Sequence, residues 1–182
     1  MQLQTMHDVT REWFAVQVRT GREHLAARHI RSRGYQVFLP CYTETRRWSD
    51  RIKEVERALF AGYVLCLVED VVVAKLITAP GVIRIVGDGP RPIAIPVEEI
   101  EAIRRLVDTG MRVEPWRGLQ AGQRVRIDKG PLRGIEGIVL RANGRHRLIV
   151  SVSVLKRSVA VELDPGCVTV AEATVGAMPV AY

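Results

Sequence analysis

Three cysteines, no CxxC pair and no apolar run of bilayer length set the first limits on this chain of 182 residues. Cys41, Cys66 and Cys167 are odd in number and far apart, which argues against a disulfide framework and offers no zinc-ligand spacing. No stretch approaches the roughly 18 apolar residues that suggest a membrane helix. The first residues carry no basic-then-apolar signal segment, so a reducing cytoplasm is the expected compartment and no membrane is an expected partner. Catalytic motifs are missing as well. Ser153-Val154-Leu155-Lys156 has the S-x-x-K spacing of penicillin-binding enzymes, but it lies in an alternating run without the partner motifs. The glycines at 87 and 89, and those at 130, 134 and 137, fit neither a Walker loop nor a dinucleotide fingerprint. His24 and His29 are five apart, off a common helix face, while His7 and His146 are isolated. No catalytic residue, cofactor or metal ligand is therefore expected, and the chemistry of this chain is binding.

What the chain does have is positive charge. It carries 27 Lys+Arg against 20 Asp+Glu, a net charge of +7. Residues 1–119 hold 18 basic against 15 acidic residues, and residues 120–182 hold 9 against 5. Both parts are mildly basic, which favours a polyanionic partner. All but Lys53, Lys75, Lys129 and Lys156 are arginine. Arginine is the better phosphate fork; a GC-rich genome would give the same bias. Hydrophobic residues make up 47%, enough for a sizeable core in one large or two small domains.

Two patterns divide the chain. Trp13 to Val18 reads as a buried strand, and 21–33 as a helix with Leu25, Ala26, Ala27 and Ile30 inward and Gly34 at its end. Tyr35 to Tyr42 reads as a strand interrupted by Pro40. Residues 43–57 are highly charged and read as the arms of an extended hairpin. Leu59 to Val68 is an apolar strand with a bend at Gly62. A short helix is expected over Val71–Thr78 behind an Asp70 cap, then a strand over Val82–Val86. A helix over Pro96–Val107 has Val97, Ile100, Ile103 and Val107 inward. From residue 120 only strands are predicted, over 123–127, 135–142, 146–154 and 158–163, with Asn143-Gly144 as a turn. The first part has the order β-α-β-β-α-β plus a helix, a ferredoxin-like split βαβ unit. The fold class is α+β: that domain, followed by a small SH3-like β-barrel. The boundaries are 1–10 for a flexible leader, 11–109 for the first domain, 110–119 for a linker, 120–172 for the barrel and 173–182 for a disordered tail.

Residues 122–137, GQRVRIDKGPLRGIEG, write strand, tight turn and strand in one run. The glycines at 134 and 137 suit a bulged turn needing positive φ or close backbone approach. This run resembles the KOW motif of transcription and ribosomal proteins. With Trp13-Phe14-Ala15-Val16, Gly34-Tyr35-Gln36-Val37-Phe38-Leu39-Pro40, Leu59-Phe60-Ala61-Gly62-Tyr63-Val64, Pro80-Gly81-Val82-Ile83-Arg84-Ile85-Val86-Gly87, Ile95-Pro96-Val97-Glu98-Glu99-Ile100 and Val161-Glu162-Leu163-Asp164, it resembles the NusG family across nearly the whole chain. That family includes general NusG and the specialised RfaH-like and UpxY-like paralogues. The resemblance implies an N-terminal NGN domain and a KOW domain.

It also implies a bacterial transcription elongation and antitermination factor. The NGN domain would bind the β′ clamp helices of RNA polymerase through an apolar depression, here Phe14, Phe60, Tyr63, Val82 and Ile83. The polymerase β gate loop is a further candidate contact. Aromatic anchors in a hollow are common interface centres, although Phe14 and Val82 fit an ordinary core equally well. On this reading Phe60 and Tyr63 are anchors whose removal spares the fold. The hairpin would lie toward upstream or non-template DNA, with Arg46, Arg47, Arg51 and Arg57 on phosphates and Trp48 on a base. Glu44, Asp50, Glu54 and Glu56 nearly balance those charges, so a self-paired hairpin remains the alternative. Arg19, Arg22 and His29 lie near where RfaH-like members read non-template DNA.

Two departures from the family pattern stand out. Ala61 replaces the proline of FPGYV. On the barrel, Val154-Leu155-Lys156-Arg157 stands where general NusG has an apolar-Phe-Gly-Arg run that engages Rho or ribosomal protein NusE. Leu155, Lys156 and Arg157 are thus the KOW partner-binding candidates, and losing the aromatic puts Rho and NusE in doubt. The departure and the RSVAVELD ending resemble a specialised paralogue more than general NusG. Residues 146–163 are β-branched and alternating, poor helix material, so the barrel is expected to stay β. A monomeric state completes the implied picture. A KOW-bearing RNA- or ribosome-associated protein and a general NusG remain as alternative functions.

Overall fold

The computed structural model describes residues 11–47, 52–69, 73–116, 123–127, 129–142, 145–163 and 168–169. Strand β1 (Arg11–Val18) leads into α1 (Glu23–Arg31), then β2 (Gln36–Phe38), β3 (Cys41–Arg47), β4 (Ile52–Ala58) and β5 (Tyr63–Glu69). Short α2 (Val73–Ile77) precedes β6 (Val82–Ile85), a two-rung hairpin of β7 (Gly87–Asp88) and β8 (Arg91–Pro92), then β9 (Ala94–Ile95) and α3 (Val97–Asp108). The main sheet has the order β2-β5-β1-β6, with β9 also on β1, and all its pairings are antiparallel. This is the ferredoxin-like arrangement expected from the element order.

Alternation along the central strands gives the sheet two apolar faces. Val16, Val18, Val64, Cys66 and Val68 meet Ala26, Ala27 and Ile30 of α1 and Leu76 of α2. On the other face, Trp13, Ala15 and Leu65 meet Ile100, Ile103 and Leu106 of α3. Trp13 packs edge-on to Phe38 with ring centroids 6.5 Å apart, and the Arg104 guanidinium lies 5.7 Å and 5.2 Å from the two rings. The inner face of α3 differs from the predicted one at its start. Val97 opens the helix with its side chain exposed, and Leu106 takes the buried place.

The second sheet runs β10-β14-β13-β12-β11-β15, from β10 (Val113–Trp116), β11 (Gln123–Ile127), β12 (Glu136–Ala142), β13 (Arg145–Val152), β14 (Arg157–Leu163) and β15 (Val168–Thr169). Residues 146–163 lie in strands apart from one turn, as their β-branched pattern requires. Two differences from the sequence expectation matter. Residues 113–116, placed in a linker, form a strand pairing with β14 from Val113↔Val161 to Trp116↔Ser158. Their alternation is hidden by Pro115, which an edge strand tolerates. The strand expected to reach 154 stops at Val152, and Ser153–Leu155 forms a single 3₁₀ turn.

In the KOW run the two glycines do different jobs. Gly134 has φ +83°, which closes the turn. Gly137 serves close approach: a Cβ there would lie 2.5 Å from the Ile149 carbonyl oxygen on β13. Leader residues 1–10 and tail residues 173–182 lie outside the described residues. So do the Asn143-Gly144 turn and the Asp70 cap.

The sheet face that carries α3 does not end at the domain boundary. Its cluster runs from Trp13, Phe60 and Ile103 into Val125, Ile127, Leu148, Val150 and Leu155 of the barrel. The two halves are thus packed together through α3, β9 and the 3₁₀ turn.

Candidate functional site

The turn before β5 is built for one purpose, to hold residues 60–63 in a fixed shape. The Tyr63 N–H donates to the Phe60 carbonyl at 3.0 Å, and Gly62 between them has φ +82°. An i to i+3 bond with positive φ at the third residue is a type II turn. Ala61 occupies the second position, where proline would pre-set φ, which accounts for the proline in the family pattern. A buried carboxylate anchors the turn. Glu23 Oε1 accepts from the Gly62 N–H at 2.7 Å and from the Gly21 N–H at 3.0 Å. Sequence reasoning missed Glu23. Its only signal was a single acid in the first turn of an arginine-rich helix, which also reads as ordinary dipole pairing.

The turn places its two aromatics differently. Phe60 is 1% exposed and belongs to the core. Tyr63 is partly buried on the same sheet face, and the Arg157 guanidinium of the barrel stacks 5.3 Å from its ring centroid. Leu155 is 8% exposed in the continuous cluster. Beside it the Ser153 N–H donates to Glu99 Oε2 of α3 at 2.9 Å. A cavity of about 650 Å³ opens along this seam, and Tyr42, Tyr63, Trp116, Leu155, Lys156 and Arg157 are among its walls. Polymerase candidate Tyr63 and KOW candidates Leu155, Lys156 and Arg157 therefore face one another.

The other polymerase candidates are not brought to this hollow. Phe14 and Val82 pack on the opposite face, against the α1–α2 cluster. The cause is strand alternation: Phe14 is one residue from Trp13 and Ala15, which face α3. Ile83 is 56% exposed. Gln17 pairs with Arg84 and Val18 with Val82, so Ile83 is the extra residue of a bulge and turns outward. The five candidates thus do not form one depression.

The proposed DNA set is also divided. Arg19 and Arg22 are exposed in and after the β1–α1 turn, and His29 is half-buried two helical turns on from Arg22. The hairpin β3–β4 forms its own two-stranded sheet, with Arg46 and Arg47 exposed at its far end. Trp48 and Arg51 lie outside the described residues. Glu44 Oε2 pairs with Arg46 at 3.0 Å and with Arg57 at 2.6 Å, so the hairpin is partly self-paired. Such exposed pairs contribute little stability. At its base, Cys41 Sγ lies 3.9 Å from His24 Nε2. Burial, with the charge and hydrogen bond of Glu56, pushes the Cys41 thiol up to about 12, so it is not a nucleophile at neutral pH. Among the described residues no group of three or more His, Cys, Asp or Glu is placed to hold a metal ion, and no helix is long and apolar enough to cross a membrane.

Lys156 carries a local strain. It has φ +49° and ψ +39°, a left-handed conformation at the position where the family pattern has glycine. Lys156→Gly is expected to raise stability by about 0.5–1 kcal/mol, since removing the Cβ penalty outweighs the added unfolded-chain entropy. Chemical denaturation of the two proteins measures this, and destabilisation would contradict it.

Comparison with known proteins agrees with this architecture. The family described as "Transcription termination factor nusG" matches residues 11–104. The transcription termination/antitermination protein NusG of Escherichia coli strain K12 is 29% identical over 168 residues, covering 85% of this chain and 93% of that protein. The NusG of Borreliella burgdorferi is 32% identical over 133 residues, covering 66% of this chain and 71% of its own length. A solved structure of Thermotoga maritima NusG, described for its domain interaction, shares the fold with a TM-score of 0.54 at 21% identity, covering 90% of this chain and 98% of that one. The chain described above belongs to the NusG family of transcription termination and antitermination factors.

Proposed function

We propose that this protein is an elongation factor that binds the β′ clamp helices of RNA polymerase through the NGN domain, modulates pausing and acts as a processive antiterminator on particular operons. It works in the cytoplasm and has no catalytic chemistry. The observation that carries the reading is the type II turn held by Glu23, which presents Tyr63 on the wall of the seam cavity. A rigid turn offering an aromatic ring loses little entropy on binding. Phe14 and Val82 support the sheet from behind in this reading and are not contacts.

The operon-specific form is supported by Leu155. Where a general factor would present an aromatic knob, this chain buries a leucine against its own N-terminal half. A partner of Tyr63 and a partner of Leu155 both need the halves to part. The short segment 109–112 between α3 and β10 is the natural pivot.

Tyr63→Ala is expected to weaken binding of the full chain to core polymerase by at least tenfold, the size of a modest hot spot. Fluorescence anisotropy with labelled protein measures it, and circular dichroism verifies the fold. Unchanged affinity would sink the assignment of Tyr63.

A further inference from the structure

We infer that Ile52 is an apolar wedge that enters a base step of DNA at the edge of a melted region, an inference that rests on the reading of the hairpin as a DNA contact. The hairpin is joined to the rest of the fold at one end only. Among the described residues its two strands pair with each other and with no other strand. Cross-strand neighbours share a face, and the register assigns each residue. Cys41↔Ala58, Thr43↔Glu56, Thr45↔Glu54 and Arg47↔Ile52 lie on one face. Tyr42↔Arg57, Glu44↔Val55 and Arg46↔Lys53 lie on the other. The acids Glu44, Glu54 and Glu56 therefore occupy the lower rungs. The last two described rungs hold Arg46, Arg47, Lys53 and Ile52: Arg47 shares the face of Ile52, whose next rung is Thr45 and Glu54, and Arg46 and Lys53 lie on the opposite face.

Ile52 is 70% exposed, the most exposed of the large hydrophobic residues among those described. A single exposed isoleucine is unremarkable by itself. Its position gives it meaning, at the far end of a ribbon and flanked on both faces by cations. Arg47 and Lys53 have no ion pair among the described residues, and Arg46 shares Glu44 with Arg57. A protein partner would match this end only with acids placed around an apolar pocket and on the reverse face of the ribbon. DNA offers both features at every step: its phosphates flank each base step, and an apolar side chain set between bases replaces lost stacking. The edge of a melted region is favoured over intact duplex, because one side of the terminal pair is already unstacked. β-branching suits the task, since Ile52 has few rotamers to lose.

The test uses the full chain and a heteroduplex bubble carrying 2-aminopurine at the junction, whose fluorescence rises on unstacking. Wild-type protein is expected to raise the signal as it binds. Ile52→Ala should lose most of the rise while anisotropy shows affinity changed less than about threefold, because phosphate contacts supply most of the binding. Ile52→Leu should keep the rise. Arg47→Ala with Lys53→Ala should weaken binding at least about tenfold and lower the salt slope by about 2. A rise that persists in Ile52→Ala overturns the wedge and leaves the DNA reading intact. Absence of binding by wild type at low salt, or binding indifferent to the loss of Arg47 and Lys53, overturns the DNA reading and the wedge with it.

Discussion

Phe60→Ala is expected to lower the free energy of unfolding by about 4 kcal/mol, within the range for removing a fully buried phenylalanine. The side chain is 1% exposed in the cluster of Trp13, Leu59 and Leu65, which continues into α3 and the barrel. The site has little freedom to collapse around a smaller residue. On one side the Leu59 N–H is held by the Pro40 carbonyl at 2.8 Å, and on the other the Gly62 N–H is held by Glu23. The cavity left by alanine would therefore persist, and the loss should lie well above the transfer term alone. Urea unfolding followed by intrinsic fluorescence measures it, with Trp13 as a reporter in the same cluster. A loss below about 1 kcal/mol would show that Phe60 is not packed as described. This result would also separate the two aromatics of the turn. The sequence presents Phe60 and Tyr63 as an equivalent pair of anchors whose removal spares the fold. The structure makes Phe60 a support and leaves Tyr63 as the residue to substitute when polymerase binding is to be measured.

What was legible in the sequence followed from periodicity. Strands β1, β2, β5, β6, β11, β12, β13 and β14, with α1 and α3, appear within a few residues of their predicted places because each must bury one face, and the spacing of apolar residues records that face. Turn chemistry was equally readable where glycine is required, as at Gly62 and Gly134. Three kinds of feature were not. The bulge that turns Ile83 outward depends on how β6 is paired with β1, and four residues of sequence do not reveal a register shift. The strand at 113–116 depends on a partner, β14, more than forty residues away. The seam itself involves the far faces of α3 and β5, which alternation identifies as apolar without saying what covers them. Leu155 illustrates the limit. Its replacement of an aromatic was visible in the chain, but its burial against the N-terminal half was not. Glu23 is similar: a carboxylate accepting two backbone N–H groups from separate loops is a tertiary feature.

Leu155→Asp is expected to undo the packing of the barrel on the N-terminal half while leaving the barrel folded. Leu155 sits on the 3₁₀ turn between β13 and β14, 8% exposed within the cluster shared by both halves. Lys156 and Arg157 line the same cavity, so a carboxylate there pairs only by drawing a cation out of the seam, Arg157 from its place over Tyr63. Burying it there, with the leucine contact gone, should shift the docking equilibrium by about 3 kcal/mol, on the order of a hundredfold. In the separated state the aspartate reaches water, so most of the cost falls on docking. The strands of the barrel keep their ladder, from Val152↔Arg157 to His146↔Leu163. Hydrogen exchange read by NMR on the full chain distinguishes the outcomes. The Ser153 amide, which donates to Glu99 across the seam, should exchange about a hundredfold faster, since its protection depends on docking. The β13 and β14 amides that bond within the ladder should keep their protection. Unchanged exchange at Ser153 would show that Leu155 does not hold the halves together. Loss of protection throughout β13 and β14 would show that it holds the barrel instead.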